Sequence, residues 1–349
     1  MSAQPPDSPY IRVGLMGFGR IGRNLYRLAS ETDDVLIAAI SDIGSPEILH
    51  YLLQRDSIHG TFKHAVKLEN NRLELEDRRS ADMISGVAPG DVSWRDYGVD
   101  LVVDATGKYS RKAHMKAHLE AGAQRVLLST LPGDEIDRLV VVGLNEDTIT
   151  LEDRMVSAGS STTNAVALML AILDRAFGVE QALMTTVHAY TADQPLADTA
   201  GKDFRSSRSA AENIIPNDSP TPQWIGTILP DFTGDLAGIA LNVPVADGSC
   251  ADVTFRFQSA DITVNDVNRA MVAAADGMPD IIEATTDPIV SSDVIGNRHS
   301  LVFDQRATLK GAGRLVKTLG WYDNGWGHAS RLLDVIHAYA RLGRNGGPS

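Results

Sequence analysis

The sequence predicts an α/β chain in two parts, a doubly wound parallel sheet first and then an α+β domain on a mixed or antiparallel sheet. Three observations carry this. From Ile11 to Gly143, short apolar runs of strand length alternate with helical patterns, as in a sheet covered on both faces. One strand-to-helix junction in that stretch is glycine-rich, Gly17-Phe18-Gly19-Arg20-Ile21-Gly22. Beyond about Val156 the pattern changes to a long apolar helix, then to segments that alternate apolar and polar residues, which suit a sheet with one exposed face.

Taken in order, Ile11 to Met16 reads as a buried strand, Asn24 to Ala29 as a helix, and Val35 to Ile40 as a second strand ending at Ser41-Asp42. Leu101 to Asp104 leads into Ala105-Thr106-Gly107, followed by a helix over Lys112 to Ala121. Arg125 to Ser129 and Leu139 to Gly143 read as further parallel strands. Ser157 to Asn164 reads as a loop running into a helix over Ala165 to Phe177. Ala182 to His188 and Asp252 to Phe257 alternate as strands. A last helix, Ala329 to Leu342, is expected to return to the first domain. The expected boundaries are 10–160, completed by a helix over 329–343, and 161–328. Met1 to Pro9 reads as a frayed tail without the basic and apolar regions of a leader, and Gly346-Gly347-Pro348 as a disordered end.

Glycines in a G-x-G-x-x-G turn let the backbone bend and approach a pyrophosphate. The helix that follows offers the N–H groups of its first turn, here those of Arg20 and Ile21, beside Gly17, Gly19 and Gly22. Asp42 stands 20 residues beyond Gly22, the spacing at which an acid suits a ribose 2′-hydroxyl and repels a 2′-phosphate. With strand, turn, helix, second strand and acid in register, the first domain reads as a Rossmann domain that takes NAD. Thr106, Gly107 and Ser129 follow the carboxyl ends of other strands, where ligands of such sheets bind. A net charge of −13 argues against nucleic-acid binding, and no apolar run reaches membrane-spanning length. Cys250 is the only cysteine, so neither an internal disulfide nor a thiolate metal cluster can form, and the cytoplasm is the expected compartment.

Several segments in order resemble the phosphorylating glyceraldehyde-3-phosphate dehydrogenase family: Gly17 to Gly22, Asp56-Ser57-Ile58-His59-Gly60, Ser160-Ser161-Thr162-Thr163-Asn164, Thr185-Thr186-Val187-His188-Ala189, Asn213-Ile214-Ile215-Pro216 and Trp321-Tyr322-Asp323-Asn324. The resemblance covers nearly the whole chain. It implies bound NAD, a homotetramer, and oxidation of a small phosphorylated or otherwise anionic aldehyde to an acyl phosphate. In the family a cysteine thiolate adds to the aldehyde, hydride passes to the nicotinamide, and phosphate releases the thioester. His188 matches the histidine that activates the thiol, and Asn324 the residue that holds the nicotinamide carboxamide. Ser160, Thr162, Thr191 and Asp193 match substrate-binding positions, and Arg205 and Arg208 lie in the loop that usually runs by the phosphate sites.

The departures are as informative. The cysteine position holds Ser161, a hydroxyl that one histidine activates poorly without a third orienting group. Two explanations stand side by side: an engineered replacement, or a native residue of a paralogue with altered chemistry. The family's R-V-P is Asn242-Val243-Pro244 here, and its S-T-G turn is Asp218-Ser219-Pro220. An amide cannot supply a charged fork, and proline removes an N–H. These changes imply a remodelled anion pocket, or one in which Arg205 or Arg208 supplies the charge. A non-catalytic NAD-binding paralogue is the alternative function. A Ser161–His188 esterase lacks an evident third acid.

Overall fold

The computed structural model describes residues 10–77, 79–86 and 88–345; both tails read from the sequence lie outside them. The chain divides into two compact units, Met1–Ser160 with Ala329–Ser349, and Ser161–His328.

In the first unit the order is β1 (Ile11–Met16), α1 (Arg20–Ala29), β2 (Val35–Asp42), α2 (Pro46–Gln54), β3 (Arg55–Asp56), β4 (Gly60–Thr61), β5 (Val66–Glu69), β6 (Arg72–Leu75), β7 (Ser80–Ser85), β8 (Leu101–Asp104), α3 (Lys112–Glu120), β9 (Arg125–Leu128), β10 (Arg138–Leu139) and β11 (Met155–Ser157). Nine strands form one sheet in the order β10-β11-β9-β8-β1-β2-β7-β6-β5. All pairs from β10 to β7 are parallel, and β6 and β5 close the edge antiparallel. The central strands are apolar because both faces are covered: Val13, Leu15, Val102 and Val103 are fully buried. Asn70 and Asn71, both at positive φ, make the two-residue turn between β5 and β6. The chain runs outward from β1 through β2, then returns to the other side of β1 at β8. That reversal makes the carboxyl ends of β1 and β8 the crevice of the sheet.

Trp94 anchors this unit. It is fully buried, and a Cβ on Gly14 would lie 2.7 Å from its ring. Its indole N–H donates to Nδ1 of buried His118 at 3.0 Å, so the His118 proton is on Nε2, 3.4 Å from Asp104 Oδ2. Asp104 Oδ1 accepts from the Thr106 hydroxyl at 2.6 Å and from its N–H at 3.0 Å. Replacing His118 with Phe strands a buried indole N–H and a carboxylate oxygen. The expected loss is about 3 kcal/mol of unfolding free energy in denaturant titrations, and a loss under about 1 kcal/mol contradicts the role given to this chain of bonds.

The second unit runs α4 (Ser161–Phe177), β12 (Val179–Ala189), β13 (Ile215–Asp218), α5 (Thr221–Ile228), β14 (Asp235–Val243), β15 (Ser249–Phe257), α6 (Val264–Gly277), β16 (Ile282–Thr285), β17 (Leu301–Asp304), β18 (Leu309–Lys310) and β19 (Leu315–Tyr322). Its sheet is mixed, in the order β13-β14-β12-β15-β19-β17-β16, with β12 parallel to β14 and antiparallel to β15. The apolar helix α4 lies against β19, where a Cβ on Gly320 would come within 3.2 Å of Met169 Sδ. The last helix, α7 (Trp326–Asn345), contains the boundary between the units. Its later part packs within the first unit, where the Tyr339 hydroxyl donates to Asp153 O at 2.8 Å and the Arg125 guanidinium lies 5.1 Å from the Tyr339 ring.

Three sequence expectations are corrected. The strand expected over Leu139 to Gly143 is only β10, ending at Leu139. The Asn145 side chain accepts from Val141 N and donates to Leu139 O, which turns the chain, and Gly143 follows at φ 94°. The expected loop over Ser157 to Asn164 ends at Ser160, because Ser161 to Asn164 form the first turn of α4. The final helix starts at Trp326, three residues early, since the Asp323 carboxylate accepts from Gly325 N and Trp326 N and caps it.

Candidate active site

The carboxyl edge of the first sheet collects one set of the expected residues. Gly17 sits at φ 93°, and a Cβ there would lie 2.9 Å from Thr106 N. A Cβ on Gly22 would lie 2.3 Å from Gly17 O, so only glycine fits this turn. Gly19 caps α1 and has no protein atom near where its Cβ would be, which leaves open space over the helix start. The first in-helix bond is from Arg23 N to Gly19 O, so the N–H groups of Arg20, Ile21 and Gly22 precede the helical ladder. The Asp42 carboxylate accepts from Phe18 N at 2.6 Å and Gly44 N at 2.8 Å, which pins it beside the turn with lone pairs to spare. Gly107 is at φ 70° in open space, and Ser129 N donates to Asp104 O at 3.0 Å. A close-approach turn, a helix start and a fixed acid together fit a dinucleotide.

The second unit collects another set. Ser161 opens α4, and Thr162 beside it is buried. Tyr322, at the end of β19, is 1% exposed, and burial raises its pKa well above the usual phenol range. Its hydroxyl lies 2.8 Å from Thr162 Oγ1 and 2.7 Å from Thr186 Oγ1, and Thr186 donates onward to Cys250 O at 3.3 Å. A carbonyl only accepts, so the protons run in one direction, from Thr162 to Tyr322 to Thr186 to the carbonyl. The chain of bonds fixes the start of α4 to β12 two residues before His188.

His188 packs edge-on to the Tyr322 ring, with centroids 6.3 Å apart. Its Nδ1 lies 2.6 Å from Ala189 O, which makes Nδ1 the donor and Nε2 the lone-pair nitrogen of the neutral ring. The orienting group is thus a backbone carbonyl, not the carboxylate of a serine triad. The same residue's N–H donates to Ser249 Oγ at 3.0 Å, and Ser249 donates to Asn324 Oδ1 at 2.9 Å. Asn324 therefore presents its amide nitrogen away from Ser249. Ala189 O also accepts from Asn242 Nδ2 at 3.4 Å, and Asn242 Oδ1 accepts from Asn217 Nδ2 at 2.5 Å. Asn242 is the registered neighbour of His188 across β12 and β14.

Thr162, His188, Asn242 and Asn324 are thus joined by Tyr322, Ala189 and Ser249. The remaining candidates are placed as follows. Ser160 directly precedes α4, and Ser219 follows β13. Thr191 donates to Asp193 Oδ1 at 2.5 Å. Arg208 is exposed and donates from Nε to Asp198 at 2.9 Å; Arg205 is exposed and reaches Pro216 O at 3.4 Å. Sequence reasoning missed Tyr322, Thr186 and Ser249 as positioning groups. The first two stood inside quoted segments, but neutral hydroxyls carry no charge pattern to flag them. Cys250 is buried; burial, then Asp252, pushes its thiol up to about 12, so it is neutral and unreactive at neutral pH. Thiol reagents are expected to label it only on unfolding, and rapid labelling of the native chain contradicts that.

The first unit thus carries a glycine turn and a fixed acid that fit a dinucleotide, and the second unit, described by itself, carries a helix-start hydroxyl and an oriented histidine. The comparisons supply the class. Residues 11–112 match the glyceraldehyde 3-phosphate dehydrogenase NAD binding domain, and residues 160–324 match the C-terminal domain of the same enzyme. The chain is 41% identical to a glyceraldehyde-3-phosphate dehydrogenase of Streptomyces coelicolor over 93% of its length and 97% of that protein. It is 40% identical to one from Mycobacterium avium over 93% and 97%, and 38% identical to glyceraldehyde-3-phosphate dehydrogenase 2 of Bacillus subtilis over 95% and 98%. The chain belongs to the glyceraldehyde-3-phosphate dehydrogenase family. Its first unit is an NAD-binding Rossmann domain. No helix among the described residues is long and apolar enough to cross a membrane.

Proposed function

We propose that the chain oxidises a small aldehyde with NAD through an adduct on residue 161, and that Ser161 makes it a slow enzyme as it stands. The observation that carries this is the His188 tautomer: with Nδ1–H on Ala189 O, Nε2 is the base. NAD, when held by Gly17 to Gly22, Asp42, Thr106, Gly107, Ser129 and Asn324, supplies a two-electron acceptor. His188 Nε2 takes the hydroxyl proton as Oγ of Ser161 adds to the carbonyl carbon. The N–H groups at the start of α4 favour the oxyanion that forms. An alcohol ionises far less readily than a thiol near pH 7, and an oxygen ester is the poorer acyl donor to phosphate, so both covalent steps are slowed.

The relatives' printed substrate makes glyceraldehyde 3-phosphate the first aldehyde to try, with inorganic phosphate as acceptor. Ser160, Thr162, Thr191, Asp193, Arg205, Arg208, Ser219 and Asn242 are the residues we assign to substrate. A cytoplasmic homotetramer belongs to the same reading; exposed Leu183 and Ile239, 65% and 47% accessible on adjacent strands, support a covered sheet face. The deciding experiment follows NADH formation over small aldehydes with phosphate or arsenate, using the chain as it is and its Ser161→Cys variant. Slow or absent turnover in the first and clear turnover in the second is expected; two inert proteins overturn the reading. A second reading, a non-catalytic NAD-binding paralogue, is favoured by Ser161 itself, and gains if NAD binds tightly while the cysteine variant stays inert.

A further inference from the structure

Resting on that reading, we propose that Asn242, paired with Asn217, determines specificity, and that the substrate class is a small hydroxyaldehyde whose far end is neutral rather than phosphorylated. Asn242 is the neighbour of His188 in a parallel pair, so both side chains leave the same face of the sheet, one strand apart. A substrate held at His188 Nε2 meets Asn242 next. The amide orientations there are fixed. Ala189 O only accepts, so Asn242 turns its nitrogen to that carbonyl and its oxygen to Asn217. Asn217 Oδ1 and one N–H of each amide are not used in these bonds, a mixed donor and acceptor set that matches a hydroxyl.

A phosphate asks for a cation or a fork of N–H groups. Neither arginine of the neighbouring loop bonds to these amides: Arg208 is paired with Asp198, which also accepts from Ser209 N, and Arg205 donates to Pro216 O, the residue before Asn217, at 3.4 Å. The fixed charge closest in the chain to His188 is negative, Asp193, bonded to Thr191; Asp218 pairs with Ile239 and so leaves the opposite face of the sheet from Asn242. A dianion beside two neutral amides gains no compensating charge from them.

The test uses the Ser161→Cys chain and compares kcat/KM for glyceraldehyde and glyceraldehyde 3-phosphate, with NAD and arsenate. The expected preference for the phosphorylated aldehyde is about threefold or less, rising about thirtyfold when Asn242→Arg is added. A hundredfold preference before that change, or no rise after it, overturns the proposal. A measurement independent of turnover uses the chain with Ser161, saturating NAD and inorganic phosphate throughout, unfolded by heat with glycerol 3-phosphate or with glycerol at equal ionic strength. Equal Tm values are expected, and a rise with glycerol 3-phosphate alone overturns the proposal. If the cysteine variant is inert on both aldehydes, the oxidation reading fails, and the unfolding measurement still decides the specificity.

Discussion

With cysteine at position 161, NADH formation from a small aldehyde rises about a thousandfold over the chain with serine. A thiol with an ordinary pKa near 8.5 is a few per cent ionised at pH 7, and the adjacent base raises that fraction, whereas a hydroxyl needs its proton removed during attack. Nothing else in the second unit has to move for this. Thr162 is tied to Tyr322, so the start of α4 is held whichever atom residue 161 carries, and the His188 tautomer is set by Ala189 O. Adding His188→Asn to the cysteine variant removes the base and is expected to lower kcat/KM by 10²–10⁴, on the order measured for lost general bases. Steady-state assays check both steps. A serine chain already as fast as its cysteine variant contradicts the account.

Gly22→Ala is expected to weaken NAD binding by a hundredfold or more. A methyl group 2.3 Å from Gly17 O forces the turn open, and backbone cannot yield as a side-chain tip can. Gly19→Ala is the informative partner. No protein atom meets its added methyl, so the Tm without NAD should stay within a few degrees, while the methyl occupies space the dinucleotide needs. Calorimetry with NAD, beside thermal unfolding without it, separates the two cases. Unchanged NAD affinity in both variants contradicts placing the pyrophosphate here.

Much of this was legible in the sequence, for definite reasons. The glycine turn and Asp42 could be read because only one residue type fits each demand: no Cβ at Gly22, an acceptor at the end of β2. The sheet of the first unit followed from its apolar runs, since strands covered on both faces need little else. The stretch from Leu139 to Gly143 misled because its valines look like a strand, while one Asn145 side chain ends it. Helix α4 was begun too late because serines and threonines at a helix start resemble loop residues until their bonds are seen. Ser161 and His188 were visible through ordered motifs, but Tyr322, which holds Thr162, and the Ala189 backbone and Ser249, which lie behind His188, act through neutral bonds between distant segments. The pairing of Asn242 with Asn217 depends on strand register, which no local pattern encodes.

The central claim is that a working dehydrogenase site survives around a changed nucleophile. Mixing the Ser161→Cys variant with NAD and a small hydroxyaldehyde, with no phosphate or arsenate, tests it most directly. A burst of about one NADH per chain, with the acyl group then found on residue 161 by mass spectrometry, is the predicted result. NAD bound tightly with neither burst nor acylated cysteine would contradict it.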